Sequence, residues 1–427
     1  MAGFGGTVED NAVMTKHDAL RQYFGHTAFR AAQGELIDAI LSGRDVMGVM
    51  PTGAGKSVCY QIPAMMLPGV TLVVSPLISL MKDQVAQLTR RGMPAAFINS
   101  SLTAAQHREV LLRAESGRYK IVYVAPERLE TEEFVRFAMG THIALVAVDE
   151  AHCVSQWGQD FRPSYLKIMG FVEKMSRRPV VGAFTATATA VVKNDMARLL
   201  GLRDPLSLTT GFDRPNLRFE VARPKNKPAF YRELVARRGG MCGIIYCATR
   251  KTVDALCAEL RGYGVAASGY HAGLDDEERR RNQDDFINDR VTVMVATNAF
   301  GMGIDKPDVR FVIHYNMPKN VESYYQEAGR AGRDGLPSDC ILLFSDDDIK
   351  IAEYFVHSSG KNKELTEKER RLLYRRDMDR IDKMTGYCET NACLRAYLLK
   401  YFGEKRTGRC GNCGNCNKTP DSRRRKP

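Results

Sequence analysis

Two short stretches about a hundred residues apart hold complementary halves of one chemistry. Residues 50–57 read Met-Pro-Thr-Gly-Ala-Gly-Lys-Ser, a glycine-rich turn closing on Lys56 and Ser57. Thr52, Gly53, Ala54 and Gly55 offer backbone N–H groups that can curl round phosphates, Lys56 adds a cation, and Ser57 adds a hydroxyl for magnesium. Residues 149–152 read Asp-Glu-Ala-His and follow the apolar run Ala144 to Val148. Asp149 suits the second magnesium ligand, and a carboxylate beside it can orient attacking water. Alone, the turn would pass for a mobile glycine bend before a helix. Paired with the acidic box, it implies a nucleoside triphosphate site.

Farther on, Gln326-Glu327-Ala328-Gly329-Arg330-Ala331-Gly332-Arg333-Asp334-Gly335 carries two arginines three residues apart. On a helix that spacing puts both guanidinium groups on one face. A solvated basic face is the ordinary reading of such a pair. Opposite a phosphate loop, the same pair reads as arginine fingers that stabilise charge in the transition state.

Four cysteines near the end make a second centre. Cys393 is followed after 16 residues by Cys410-Gly-Asn-Cys413-Gly-Asn-Cys416. Two consecutive Cys-x-x-Cys steps let thiolates converge, and four thiolates suit tetrahedral zinc. Such a site leaves no open position for substrate, so its zinc would be structural. Cys388 is a rival fourth ligand, and iron–sulfur ligation is the weaker alternative. The other cysteines, such as Cys59, Cys247 and Cys340, are scattered through apolar segments and read as small buried hydrophobes.

The elements that must position these groups follow from patterning. The chain has 427 residues, enough for two or three domains, with 44% hydrophobic and 26% charged residues. Apolar runs at Asp45–Met50, Thr71–Ser75, Lys120–Ala125, Ala144–Val148 and Val180–Phe184 alternate with helical stretches. After a proline-broken stretch from Leu202 to Pro228, the alternation restarts at Gly243–Tyr246, Ala266–Tyr270, Val291–Ala296, Phe311–His314 and Ile341–Phe344. That order predicts two α/β units with parallel sheets covered on both faces, of which only the first is armed with a phosphate loop. A nucleotide is then expected in the cleft between them. The predicted division is a loose leader at 1–15, units at 16–208 and 209–345, a charged helical zinc module at 346–418, and a disordered basic tail at 419–427. Net charge is +12, from 62 basic and 50 acidic residues, which favours polyanionic partners. No apolar run approaches the roughly 20 residues that cross a bilayer, and the N-terminus lacks a signal pattern, so an intracellular protein with no membrane role is expected.

Taken in order, the motifs resemble the RecQ family of superfamily 2 DNA helicases over roughly residues 20–418. The resemblance is carried by Phe29-Arg30 with Gln33, Pro51–Ser57, Val74–Leu80, Asp149–His152, Ser155-Gln-Trp-Gly158, Phe184–Thr189, Ala296–Asp305 and Gln326–Gly335. It implies two tandem RecA-like domains with a small C-terminal helical zinc-binding domain. By the same resemblance Arg30 and Gln33 read the adenine of ATP, and His26 stands where relatives stack a tyrosine. Ala31-Ala32 replaces the usual Pro-Gly. Lys56 would bind the β- and γ-phosphates, Asp149 and Ser57 the Mg²⁺, and Glu150 would act as general base, with Gln326 beside the nucleotide. His152 would relay between the ATP cleft and the DNA side. Trp157, Phe161 and Arg162 match an aromatic-rich loop that stacks on single-stranded bases, where Gln159 replaces a common histidine. Thr249 and Arg250, with His271-Ala-Gly-Leu274, match motifs facing the DNA backbone. The family spacing favours Cys393 over Cys388.

The implied activity is ATP-dependent, 3′-to-5′ translocation on single-stranded DNA with unwinding of duplex DNA, in recombination and repair. Forked duplexes and single-strand-binding or repair proteins are the implied partners. The expected location is the bacterial cytoplasm at the nucleoid, or the nucleus of a eukaryote. Many relatives continue past the zinc knuckle into a winged helix, whereas this chain ends about ten residues after Cys416. The alternative expectation is therefore a DNA-stimulated ATPase or translocase with poor unwinding. An RNA helicase is the more distant rival.

Overall fold

The structure, a computed structural model, describes residues 14–76, 78–158, 160–301, 306–359 and 366–417. The expectations placed on residues 1–13, Leu77, Gln159, 302–305 and 419–427 lie outside them. Two parallel sheets organise the chain. The first contains β1 (Val46–Val49), β2 (Val70–Val74), β3 (Ala95–Ile98), β4 (Ile121–Val124), β5 (Ile143–Val148), β6 (Val180–Thr185) and β7 (Leu206–Thr209), in the order β3-β4-β2-β5-β6-β1-β7. The second contains β8 (Leu217–Ala222), β9 (Gly243–Tyr246), β10 (Ala267–Tyr270), β11 (Val293–Ala296), β12 (Phe311–His314) and β13 (Ser338–Leu343), in the order β10-β11-β9-β12-β13-β8. Every pairing between these strands is parallel.

Helices cover both faces, which explains why β1, β4 and β9 are buried at every residue and read as unbroken apolar runs. β8 differs. Leu217 and Phe219 face inward while Arg218 and Glu220 face out, the alternation of an edge strand. The stretch 202–228 is thus not a plain break, because it contains β7 and β8. The first sheet runs to Thr209, one residue past the division expected at 208.

Three helices form the last module: Asp346–Ser359, Glu367–Glu389 and Leu394–Tyr401. A cysteine knuckle follows and pairs with the second sheet, where Phe219 bridges Cys413 and the Gly414 N–H donates to the Phe219 carbonyl at 2.8 Å. Phe212 and Phe402 stack with centroids 4.6 Å apart, and Arg395 ties Asp213 to this module at 2.6 Å. The module is therefore sewn to the segment that joins the two sheets. Among the described residues, no helix is long and apolar enough to cross a membrane.

Candidate nucleotide site and its neighbours

Parallel sheets present their ligands beyond the carboxyl ends of the strands. At that edge of the first sheet, β1 leads into the phosphate loop, β5 into Asp149-Glu150, and β6, lying between them, ends in Thr185. Gly53 and Gly55 take φ of +85° and +79°, the left-handed turn the loop needs. A Cβ on Gly55 would sit 2.5 Å from the Gln33 amide nitrogen and would displace that side chain, on top of the strain of its left-handed φ.

Lys56 Nζ lies 3.1 Å from Glu150 Oε1 and 3.6 Å from Asp149 Oδ1, all three side chains being largely buried. Burial works against the Lys56 charge, but the two carboxylates outweigh it and hold the ammonium above its ordinary range. Burial lifts Asp149 above the usual carboxylate range. It also lifts Glu150, yet Lys56 and His152 overcome that pull and leave the Glu150 carboxyl well below the usual range. Burial opposes charge on His152, while the Cys153 sulfur and Glu150 push it up to about 10. Glu150 itself sits at φ +46°, ψ +45°, left-handed backbone for a residue with a full side chain. Strain of that kind, about 1–3 kcal/mol, persists where the surroundings over-determine a functional group. Tyr165 supports the turn by donating to the Asp149 carbonyl at 2.9 Å.

The two arginines reach the same cavity from the second sheet. A volume of about 200 Å³ is lined by Lys56, Ser57, Asp149, Glu150, Gln326, Arg330 and Arg333, with Thr52 and Gly53 at its wall. Their convergence is not helical, contrary to the sequence expectation. The helix Val321–Ala328 stops short, and Gly329, Gly332 and Gly335 turn the chain so that both arginines lie in a non-helical stretch. Gly332 has φ +54°, and a Cβ there would collide with Asn216. The Arg330 guanidinium donates to the Gly301 carbonyl and is 8% exposed. Gly301, at φ +119°, has no room for a Cβ beside it. That glycine is required by the arginine.

A second cavity of about 400 Å³ adjoins the loop, lined by His26, Arg30, Gln33, Ser57, Gln84 and Arg91 among others. Gln33 accepts from the Arg30 N–H at 2.8 Å and donates to the carbonyls of Ala54 and Gly55 at 3.2 and 3.1 Å. Its amide therefore braces the phosphate loop as well as lining the cavity. Arg30 donates to the Gly53 carbonyl, and His26 is exposed at the rim. Ala32 stands at φ +68°, the conformation a glycine adopts freely.

His152 is buried with Nδ1 2.7 Å from the Thr185 hydroxyl and 3.3 Å from Glu150 Oε2, between the acidic box and the end of β6. Trp157 is 41% exposed, which sets it apart from the core, and Phe161 is half-buried. Arg162 is spent inside its own loop, donating to Asp160 and the Pro76 carbonyl at 3.0 Å. It shapes the aromatic loop and is not held out toward solvent. Thr249 and Arg250 are exposed at the start of the helix Arg250–Gly262, where Thr249 caps by accepting from the Thr252 N–H at 3.1 Å. Helix N-termini favour phosphates.

Cys393, Cys410, Cys413 and Cys416 place their Sγ atoms within 4.8 Å of one another, with 410–416 at 3.8 Å and 393–413 at 4.0 Å. None is disulfide-bonded. Tetrahedral zinc with Zn–S near 2.3 Å needs sulfurs about 3.8 Å apart, so the donor set fits. Cys388 is buried outside this cluster. Of the two cysteines weighed as fourth ligand, the geometry groups Cys393, which the family spacing favours, with the other three.

At the nucleotide site, Arg214 is a residue that gave no sequence signal. In the segment between the sheets, it donates to the Thr52 carbonyl of the phosphate loop at 3.1 Å. It also donates to the carbonyls of Gly329, Ala331 and Gly332 at 3.4, 3.1 and 2.8 Å. A single guanidinium thus joins the phosphate loop to the arginine turn.

Residues 30–194 match the DEAD/DEAH box helicase family, 226–335 the helicase conserved C-terminal domain, and 346–417 the RecQ zinc-binding family. The chain is 42% identical to the probable ATP-dependent DNA helicase RecS of Bacillus subtilis (strain 168), covering 80% of this chain and 70% of that protein. It belongs to the RecQ family. It is 47% identical to the ATP-dependent DNA helicase RecQ of the same strain, over 92% of this chain and 65% of that one. It thus spans under two thirds of the length of that RecQ relative. The fold is also similar to the DEAD-box helicase Mss116 bound to single-stranded RNA and a nucleotide analogue, with a TM-score of 0.66, 18% identity and coverage of 92% and 96%.

Proposed function

We propose that this RecQ-family chain is an ATP-dependent DNA helicase that moves 3′ to 5′ along one strand and separates duplex DNA in recombination and repair. One observation carries the proposal: Lys56 and Glu150 from the first sheet, and Arg330 and Arg333 from the second, line one cavity. A triphosphate bound there is held by both lobes, so its hydrolysis changes how the lobes are held together.

Residue roles follow from position. The backbone of Thr52–Gly55 and Lys56 hold the phosphates, and Ser57 with Asp149 offers the oxygen ligands that suit magnesium. When bound, that ion neutralises phosphate charge. Glu150, kept ionised by Lys56 and His152, orients and polarises the attacking water as general base, and regains basicity when Lys56 turns to the phosphates. Arg330 and Arg333 stabilise charge as the γ-phosphoryl group leaves. His26, Arg30 and Gln33 place the base, and Trp157 and Phe161 offer rings to unstacked bases. Thr249 and Arg250 grip phosphates without reading sequence. Zinc held by the four cysteines is structural.

The deciding experiment measures ATP turnover and strand release together on zinc-loaded protein, using forks with 3′ or 5′ single-stranded arms. Release from the 3′-armed fork alone is expected. Turnover without release assigns the chain to the DNA-stimulated translocases, and equal stimulation by single-stranded RNA removes the DNA assignment.

A further inference from the structure

The aromatic loop hangs from two different bodies. Its root belongs to the first lobe, where Ser155 donates to Asp195 at 2.7 Å and the Arg162 N–H donates to the Cys153 carbonyl at 2.9 Å. Its tip is held from the zinc-bearing module. Arg376 donates to the Gln156 carbonyl, and Arg380 donates to the carbonyls of Trp157 and of Gly158, the latter at 2.9 Å. Three successive carbonyls are taken by two side chains of the helix Glu367–Glu389.

The helix is built for this grip. Residues four apart share one face, so both guanidinium groups meet the loop. Asp377 sits between them, accepting from Arg376 Nε at 2.8 Å and from Arg380 Nη1 at 3.3 Å, and so orients both. Two like charges set side by side at a buried contact is an unfavourable placement. Burial and the neighbouring Arg380 together press Arg376 below its ordinary range. The tip also packs closely on the acidic box, because a Cβ on Gly158 would fall inside contact distance of the His152 carbonyl. The short turn Ala151–Val154 connects that backbone to Glu150.

We propose that Arg376 and Arg380 are positioning residues through which the zinc-bearing module presets the aromatic loop, so that strand contact at Trp157 reaches Glu150 only while this latch holds. The inference rests on the reading of the loop as DNA-facing. It gives the zinc module a part in coupling beyond stability, exerted on a loop of the opposite lobe.

Trp157 is the only tryptophan of the chain, so intrinsic fluorescence reports this loop alone. The test compares wild type with the Arg376→Ala/Arg380→Ala double variant and with Asp377→Asn. Zinc content, acrylamide quenching of Trp157 without DNA, basal ATP turnover, and the single-stranded DNA concentration giving half-maximal turnover are measured. The double variant is expected to keep its zinc and basal turnover and to show greater quenching. Its half-activating DNA concentration should rise about tenfold, the equivalent of roughly one charge-assisted hydrogen bond of lost preorganisation. Asp377→Asn should shift the same readouts in the same direction by less. Unchanged quenching and DNA response overturn the proposal. Loss of zinc or basal turnover in both variants overturns it too, because the arginines are then scaffold. Wild-type turnover indifferent to DNA, with quenching still sensitive to the substitutions, overturns the DNA-stimulated reading and leaves the latch standing.

Discussion

Replacing Lys56 by methionine keeps most of the side-chain volume and removes the one cation between Asp149 and Glu150. At separations of 3.1 and 3.6 Å, an effective dielectric of about 20 makes each attraction about 5 kcal/mol before desolvation. Desolvation of three charges consumes much of that, and breaking such a buried arrangement from one side costs about 3–5 kcal/mol. The first-lobe unfolding transition of Lys56→Met, measured at pH 8 without nucleotide, should therefore fall by about that amount. The deficit should also shrink as pH falls. In wild type the Glu150 carboxyl is depressed, so its stabilisation is complete above the ordinary carboxylate range, pH 5 included, and is lost only as pH falls below that range toward the depressed value. In the variant Glu150 keeps His152 as its partner, while Asp149, already raised by burial, loses Lys56 and is raised further, so stability recovers as pH falls and Asp149 takes up a proton. Denaturant titrations at pH 8 and pH 5, run beside ATP turnover, read both effects. A deficit under about 1 kcal/mol at pH 8, or one equal at both pH values, refutes the buried triad as the basis of the site. Turnover should be abolished at either pH.

Arg330→Ala should keep ATP affinity while losing hydrolysis by about 10³-fold or more, and retained hydrolysis means the finger lies elsewhere. Cys413→Ser, at a fully buried member of the cluster, should lower zinc to below one per chain and make the region after Ser345 protease-sensitive; an intact, zinc-free, fully active protein counts against the site. Ala32→Gly relaxes a left-handed alanine and should stabilise the first lobe by about 0.5–1 kcal/mol in denaturant titration, with no gain showing that the neighbouring contacts of the methyl outweigh the strain.

What was legible in the sequence was chemistry written in contiguous residues. Pro51–Ser57 and Asp149–His152 each carry their meaning within one turn, and Cys410, Cys413 and Cys416 carry theirs in spacing. β8 was lost because Pro215, Pro224 and Pro228 flank it, although the Leu217-Phe219-Val221 alternation was there to be read as an edge strand. β3 was lost because Ala95 and Ala96 make a weak apolar run. Spacing of three points the arginine pair to a helix, whereas the glycines at 329, 332 and 335 turn the chain out of one. Arg214, Arg376 and Arg380 left no trace, since a side chain that grips backbone carbonyls needs no particular partner residue.

That last property has a consequence at Arg214. Its acceptors are the main-chain oxygens of Thr52, Gly329, Ala331 and Gly332, so the bonds themselves ask for no particular side chain, although the turn keeps Gly332 for its backbone. The side chain registers where two loops are and is blind to what they are made of. Side chains at positions whose backbone does not demand glycine can therefore change on both sides of the cleft without loosening the joint. Chimeras that exchange one lobe between relatives should assemble a closed nucleotide site whenever the connecting arginine travels with them.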